Sequence, residues 1–160
     1  MSLPEGCALR VATPADAPAL ARFRAAMFSD MGAALEDGWE LCWTAYFEAA
    51  LTDGRYWALL AEVGGVPVAC AGLMLFPIVP LPSDPSGLRA HVQGVYTVPE
   101  QRGRGLGEAL TRAVLAEAQR RGLKSANLNA AIMGRQIYER MGFEETKYPE
   151  MRLNLGAWTA

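Results

Sequence analysis

Six residues, Arg102 to Gly107, combine the groups that bind phosphate: three glycines, two arginines and the start of a helix. They read Arg-Gly-Arg-Gly-Leu-Gly. They lie between a β-branched run that ends at Pro99 and a helical pattern from Glu108 to Arg121. Glycine lets the backbone approach a ligand closely, and the free N–H groups and the dipole of a helix's first turn attract anions. The turn is therefore predicted to hold a phosphate group.

Two phosphate-binding patterns compete for this turn. In the dinucleotide fingerprint G-x-G-x-x-G, Gly103 and Gly105 fit the first two positions, but Glu108 stands at the third. The acidic residue expected about 20 residues further on is missing from residues 124–127. The second pattern, Arg-x-x-Gly-x-Gly, is met in full from Arg102 to Gly107, and it is the pattern we favour.

The Arg-x-x-Gly-x-Gly turn resembles the coenzyme A pyrophosphate loop of the GNAT superfamily of N-acetyltransferases. A second segment, Ile137-Tyr138-Glu139-Arg140-Met141-Gly142-Phe143, resembles the Leu-Tyr-Glu-x-x-Gly-Phe run that closes the coenzyme site in that family, with isoleucine in place of leucine. The close resemblance covers residues 95–143, and the rest of the chain matches in element order only. It implies an enzyme that moves an acetyl group from acetyl-CoA to a primary amine by direct attack.

The resemblance also implies which residues bind the coenzyme. The backbone amides of residues 102–107 would hold the pyrophosphate, and the main chain of Val95 and Thr97 would pair with the pantetheine amides. Many relatives carry an asparagine where this chain has Ala131, so its contact to the coenzyme is either absent or supplied by Asn129 or Arg135. The expected coenzyme-binding residues are Val95, Tyr96, Thr97, Val98, Arg102, Gly103, Arg104, Gly105, Leu106, Gly107, Glu108, Asn129, Arg135 and Tyr138.

The catalytic roles follow from the same resemblance. Tyr138 would be the general acid, because a phenol with an unperturbed pKa near 10 holds its proton at neutral pH and can give it to the leaving thiolate. A backbone N–H around Thr97 or Val98 would stabilise the oxyanion. His91 is a candidate base, since it shares a strand face with Thr97 unless a bulge intervenes; an ordinary strand histidine is the alternative. Other candidate bases are Glu36, Asp37, Glu40 and Glu100.

Length and composition predict one globular domain over residues 1–160, with 51% hydrophobic and 20% charged residues. The net charge of −2 conceals an asymmetry: residues 1–100 hold 11 acidic and 5 basic residues, and residues 101–160 hold 6 and 10. The basic part contains the phosphate turn, and the acidic part suits a cationic amine, although surface scatter explains the asymmetry equally well. No basic stripe with interleaved aromatic residues is present, so nucleic acid is not an expected partner.

The cysteines, the N-terminus and the apolar stretches indicate whether a metal, a membrane or secretion is expected. Cys7, Cys42 and Cys70 lie far apart without a His/Cys cluster, so we expect reduced thiols and no metal. No secretion signal precedes the first strand, and prolines interrupt the apolar stretch at residues 66–82, so neither a membrane partner nor a location outside the cytoplasm is expected. The expected partners are acetyl-CoA and an amine, and a homodimer is left open.

Periodicity predicts the elements that position these residues. The predicted strands are residues 8–12, 56–63, 66–76, 89–98, 125–129 and 151–155. The predicted helices are residues 17–28, 39–51, 105–121 and 133–140. Gly64-Gly65 predicts a tight hairpin. With the resemblance, this order implies the GNAT fold: a mixed α/β protein with a mostly antiparallel sheet of six to seven strands, helices on both faces, and a V-shaped splay between strands 4 and 5 that takes the pantetheine arm.

The acceptor and two alternative functions stay open at the level of sequence. The resemblance implies an acceptor pocket built from residues 28–43 and 77–89, with Trp39, Trp43 and Phe76 as its wall or as core. Small amines, amino acids, antibiotics and peptide N-termini all remain open as acceptors. A non-catalytic acyl-CoA sensor would keep the turn without needing Tyr138. An acyl-enzyme formed on cysteine is disfavoured, because no cysteine has a recognisable nucleophile context.

Overall fold

The computed structural model describes residues 3–157 and groups them into two compact units, one through Asn129 and one from Ala130. The strands are β1 (Cys7–Val11), β2 (Tyr56–Val63), β3 (Val66–Pro77), β4 (Leu88–Thr97) and β5 (Ala126–Asn127). The helices are α1 (Ala17–Asp30), α2 (Trp39–Asp53), α3 (Leu106–Arg120) and α4 (Arg135–Arg140). The first unit holds everything except α4. The single domain over residues 1–160 stays a prediction.

The five strands form one mixed sheet in the order β1-β2-β3-β4-β5. Neighbours are antiparallel from β1 to β4, and β5 runs parallel to β4. The β2–β3 connection is the predicted hairpin, with φ of +57° at Gly64 and +79° at Gly65. Both angles lie in the left-handed region that a two-residue turn of this twist requires, which explains the glycine pair. The mixed, mostly antiparallel sheet is confirmed.

Two hydrophobic clusters cover the two faces of this sheet. The α3-side core joins Leu106, Leu110 and Val114 to sheet residues such as Leu73 and Val92. The α1-side core joins α1 and α2 to the opposite face; its members include Leu20, Phe23, Phe47, Tyr56, Leu60, Cys70 and Tyr96. Helices therefore pack on both faces, as the predicted fold requires.

A charged network fixes the start of α1 against the sheet. The Asp16 carboxylate accepts hydrogen bonds from the Thr13 N–H (2.8 Å) and from both terminal nitrogens of Arg10 (2.7 Å each). Arg10 also donates from Nε to Glu62 at 2.7 Å. The Arg10 guanidinium holds the pKa of the Asp16 carboxyl well below its usual range. The network links β1, β2 and the first turn before α1.

The sheet has five strands within residues 3–157, rather than the six to seven predicted. The strand predicted at residues 151–155 is absent: Met151, Leu153 and Leu155 are exposed and the segment pairs with no strand of the described chain. Apolar alternation alone does not make a strand, because its backbone groups need a neighbour. Within the same residues, no helix has both the length and the apolar character that crossing a bilayer requires.

Candidate functional site

The glycine-rich turn joins β4 to α3 as predicted. After a short 3-10 turn at Pro99–Gln101, Gly103 and Gly105 take φ of +76° and +78°, which L side chains rarely adopt. The first helical hydrogen bond is Ala109 N–H to the Gly105 carbonyl at 3.0 Å. Among residues 3–157, no backbone acceptor engages the amides of residues 103–107. The turn therefore presents free N–H groups at a helix N-terminus, the arrangement that binds a pyrophosphate.

The two arginines of the turn anchor it. Arg102 donates to the Thr97 carbonyl (2.9 Å), to Asp30 at the end of α1 (2.5 Å) and to the Tyr96 hydroxyl (3.3 Å). Its bond to Asp30 raises the pKa of the guanidinium. Arg104 donates to the Gln101 side chain and to a backbone carbonyl before β1. Arg102 is ion-paired with Asp30, and Arg104 is hydrogen-bonded to neutral oxygen atoms. The backbone N–H groups of residues 103–107 have no backbone acceptor within residues 3–157 and are free to meet a phosphate. Asp30 is a site residue that the sequence analysis missed.

A β-bulge in β4 decides which way the site residues face. Cys70 lies opposite Tyr96, whereas Gly72 lies opposite Gln93, so β4 holds one extra residue, at Gly94. Gly94 has a φ of +66°. Because a bulge shifts the alternation of side chains, the stated exception applies, and His91 and Thr97 lie on opposite faces of the sheet. His91 lies opposite Met74, on the α1-side core.

Beyond the bulge, Val95 and Thr97 turn toward α3. A Cβ atom at Gly107 would lie 3.8 Å from Val95 Cγ1 and 4.0 Å from Thr97 Oγ1. The first turn of α3 therefore packs against the end of β4 at ordinary contact distance. The turn and the end of β4 form one continuous surface, as the predicted coenzyme site requires.

The predicted splay is present between β4 and β5. These strands pair only at Ala90–Ala126 and His91–Asn127, while β4 continues to Thr97. Val98 N–H donates to the Val68 carbonyl at 2.9 Å, so this amide is already used. Because bonded and non-bonded pairs alternate along an antiparallel ladder, the Thr97 N–H faces the opposite side, into the gap. Of the two amides proposed for the oxyanion, Thr97 is therefore the free one.

His91 stands at the vertex of the splay and is oriented by Asn127. Its Nδ1 lies 3.2 Å from Asn127 Oδ1. With the proton on Nδ1, that nitrogen donates to the amide oxygen and Nε2 is left as an acceptor. Asn129, which was expected as a possible coenzyme contact, is exposed, and so is Asn127. Asn127 could be identified as the partner of His91 only from the parallel register of β4 and β5, because no local sequence motif marks it.

The second unit holds Tyr138 on α4. Its ring meets Phe143 edge-on at 5.9 Å between centroids, and a Cβ atom at Gly134 would lie 3.1 Å from it. Burial raises the pKa of the Tyr138 phenol, which keeps the group protonated, as a general acid must be. Arg135 is paired with Glu139 (2.7 Å) and Glu145 (2.5 Å). A coenzyme contact from Arg135 would have to compete with these carboxylates.

The remaining candidates differ in their surroundings. Cys70 is buried; its thiol donates to the Gly94 carbonyl at 3.1 Å, and burial raises its pKa to about 12. A thiol in that state is a poor nucleophile, which weighs against an acyl-enzyme at Cys70. The other carboxylates considered as bases are exposed: Glu36, Asp37, Glu40 and Glu100.

Comparison with known proteins places this chain in a family. The model of the acetyltransferase (GNAT) family matches residues 23–143. A GCN5-related N-acetyltransferase from Ralstonia eutropha is 31% identical, with a TM-score of 0.81 over 92% of this chain and 99% of its own. The chain belongs to the GNAT acetyltransferase family, which uses acetyl-CoA.

Other solved structures share the fold at lower identity. A predicted acetyltransferase from Clostridium acetobutylicum, solved with acetyl-CoA, has a TM-score of 0.90 at 24% identity and covers 96% of this chain and 99% of its own. A ribosomal-protein-alanine N-acetyltransferase from Brucella melitensis has a TM-score of 0.68 at 23% identity, covering 94% and 99%. No curated protein matches the sequence.

Proposed function

We propose that this protein is an N-acetyltransferase that moves the acetyl group of acetyl-CoA to a primary amine by direct attack, without a covalent enzyme intermediate. One observation carries the proposal: free backbone amides at residues 103–107 adjoin a strand edge that is open from Val95 to Thr97. The first feature suits a pyrophosphate, and the second suits an amide-bearing arm that adds to a strand.

The donor would lie along this continuous surface. Residues 103–107 supply N–H groups to the pyrophosphate, and the main chain of Val95 and Thr97 supplies hydrogen bonds to the pantetheine arm. Tyr96 and Val98 belong to the same strand end, and Leu106 and Glu108 to the first turn of α3. Gly107 lies where the turn meets the strand, since a Cβ atom there would be 3.8 Å from Val95 Cγ1.

The chemistry requires two proton movements. The amine nitrogen, after losing a proton, attacks the acetyl carbon; the new C–N bond forms, the C–S bond breaks, and the thiolate takes a proton. His91 Nε2 is the proposed acceptor of the amine proton, directly or through a water. Tyr138 is the proposed donor to sulfur, and the Thr97 N–H the proposed support for the oxyanion.

The alternative is a non-catalytic acyl-CoA sensor. Both functions need the turn, but only the enzyme needs a protonated phenol. Tyr138 and its raised pKa favour the enzyme.

The test is thiol release from acetyl-CoA over a panel of primary amines, paired with calorimetric titration of acetyl-CoA. The enzyme predicts binding together with amine-dependent thiol release. Binding without release on any amine would select the sensor, and absence of binding would reject both.

A further inference from the structure

The side chain of Arg102 ties the glycine-rich turn back to the end of β4. Its Nε donates to the Thr97 carbonyl at 2.9 Å. Because Thr97 is the last residue of β4 and Arg102 opens the turn, this hydrogen bond closes the short segment between them. Thr97 is also the residue whose main chain would meet the pantetheine arm. The direction of the Arg102 side chain therefore affects the shape of the proposed coenzyme surface.

Two groups hold the Arg102 guanidinium in this direction. Its Nη2 donates to Asp30 Oδ2 at 2.5 Å and to the Tyr96 hydroxyl at 3.3 Å. The guanidinium carbon lies 5.5 Å from the centre of the Tyr96 ring. An arginine presents its N–H groups in a rigid planar fork. The bond from Nη2 to Asp30 therefore helps to set where Nε points.

The backbone behind Asp30 is held firmly against the sheet. Asp30 is the last residue of α1. The Phe23 ring of the same helix lies 5.8 Å from the Tyr96 ring between centroids. Both rings are buried, and closely packed side chains transmit position rather than yield. The end of α1 therefore presents its carboxylate to Arg102 from a fixed place.

The Asp30 carboxylate accepts no hydrogen bond from its own helix within residues 3–157; its bond goes to Arg102, 72 positions away. An aspartate at a helix C-terminus also meets the negative end of the helix dipole. Asp53 has the same position in α2, but its carboxylate accepts from the Arg55 N–H at 3.0 Å and so closes its own turn. A residue that is locally unfavourable and engages a distant site indicates a role at that site.

We infer that Asp30 is a positioning residue for acetyl-CoA: it holds Arg102 so that the guanidinium keeps Thr97 and the turn in the arrangement that receives the coenzyme. This rests on the coenzyme surface of the proposed function. The phosphates are then met by the backbone amides of residues 103–107. If Arg102 instead left Asp30 to bind a phosphate, Asp30 would compete with the coenzyme, and removing its charge would strengthen binding.

The test is calorimetric titration of acetyl-CoA into wild type, Asp30→Asn, Arg102→Lys and the double variant. Asp53→Asn is the matched control: it removes the charge of another helix-terminal aspartate, which is ion-paired at 2.7 Å with Arg55, an arginine outside the turn. Thermal unfolding of each protein checks its fold. Position 30 is exposed, so Asp30→Asn should fold; if it does not, Arg102→Lys carries the comparison.

Asp30→Asn should weaken acetyl-CoA binding about threefold to tenfold, as expected for a partly exposed, charged hydrogen bond. Arg102→Lys should weaken it by a similar factor although the charge is kept, because an ammonium cannot reproduce the fork that holds Thr97 and Asp30. Adding Asp30→Asn to Arg102→Lys should cost less than about twofold more, because the two residues act as one unit. Asp53→Asn should bind acetyl-CoA as wild type does.

Kinetics separate positioning from a general loss of structure. With an amine that supports thiol release, Asp30→Asn should raise the KM for acetyl-CoA and leave kcat within about twofold of wild type. A general loss of structure would lower kcat as well.

Four results would overturn the inference: unchanged or stronger acetyl-CoA binding in Asp30→Asn, wild-type affinity in Arg102→Lys, equal losses in Asp30→Asn and Asp53→Asn, or a kcat that falls with the affinity. A wild type that binds no acetyl-CoA would overturn it together with the proposed coenzyme surface. Binding without thiol release on any amine would reject the transferase and leave the binding comparison to decide the role of Asp30.

Discussion

Replacing Gly94 by alanine tests the bulge that orients the site. The substitution forces a residue with a Cβ atom to a φ of +66°, which costs about 1–2 kcal/mol. The new Cβ atom would also lie 3.2 Å from the Tyr56 hydroxyl oxygen, tighter than an ordinary contact, and the buried ring has little room to move. We expect a loss of about 2 kcal/mol in the free energy of unfolding, or roughly 4–8 °C in Tm for a chain of this size.

Two further variants separate these effects. Gly122→Ala meets a φ of +80° but nothing within 4 Å, so it should show the backbone strain alone and leave acetyl-CoA affinity unchanged. Gly94→Ala with Tyr56→Phe removes the contacting oxygen and should recover only the contact part of the loss.

The assays are calorimetric unfolding and acetyl-CoA titration of all four proteins. Gly94→Ala should also weaken acetyl-CoA binding, since the bulge sets the direction of Val95 and Thr97. A Gly94→Ala protein with wild-type Tm and wild-type affinity would refute the bulge as the orienting feature.

Four other substitutions probe the turn, the two proton carriers and the fold. Gly105→Glu should abolish acetyl-CoA binding in calorimetry, because it places a carboxylate where the pyrophosphate would lie, whereas Gly122→Glu, at the other end of α3 with a similar φ, should bind normally. Tyr138→Phe should lower kcat about a hundredfold with acetyl-CoA affinity unchanged, because the phenol is needed only for the leaving thiolate. His91→Ala should lower kcat about a hundredfold at neutral pH, measured by thiol release. Asp16→Asn should lower the free energy of unfolding by about 1–2 kcal/mol at neutral pH, measured by urea titration. Because the pKa of Asp16 is depressed in the folded protein, this stabilisation is present above about pH 4 and is lost as the pH falls below it. The free energy of unfolding of the variant should therefore fall less steeply with decreasing pH than that of the wild type.

Each of these expectations has a contradicting result. Normal affinity in Gly105→Glu would reject the turn as the pyrophosphate site. Unchanged kcat would remove Tyr138 or His91 from the mechanism. An Asp16→Asn protein with the wild-type free energy of unfolding at neutral pH, and with the same decrease at acid pH, would show that the Arg10 contact does not stabilise the fold.

Local chemistry made part of this structure predictable. The Gly64-Gly65 hairpin and the turn at residues 102–107 depend on glycine's access to positive φ, which the sequence states directly. The order of strands and helices follows from periodicities of two and 3.6 residues. These features need no knowledge of distant partners.

Features that depend on pairing could not be predicted. The bulge at Gly94 becomes visible only in the register of β3 against β4, and Asn127 only in the register of β4 against β5. The contact between Asp30 and Arg102 joins residues 72 positions apart. The strand predicted at residues 151–155 failed for the same reason, since alternation without a neighbour does not form a ladder.

The most direct test of the central claim is mass spectrometry of an amine panel incubated with acetyl-CoA, with the free thiol measured in the same samples. Direct transfer predicts an N-acetylated amine and an equal amount of coenzyme A thiol, with no acetylated protein when the amine is omitted. An acetylated protein that forms without amine and passes its acetyl group on when amine is added would contradict direct attack. Thiol release that no amine increases would contradict the transferase itself.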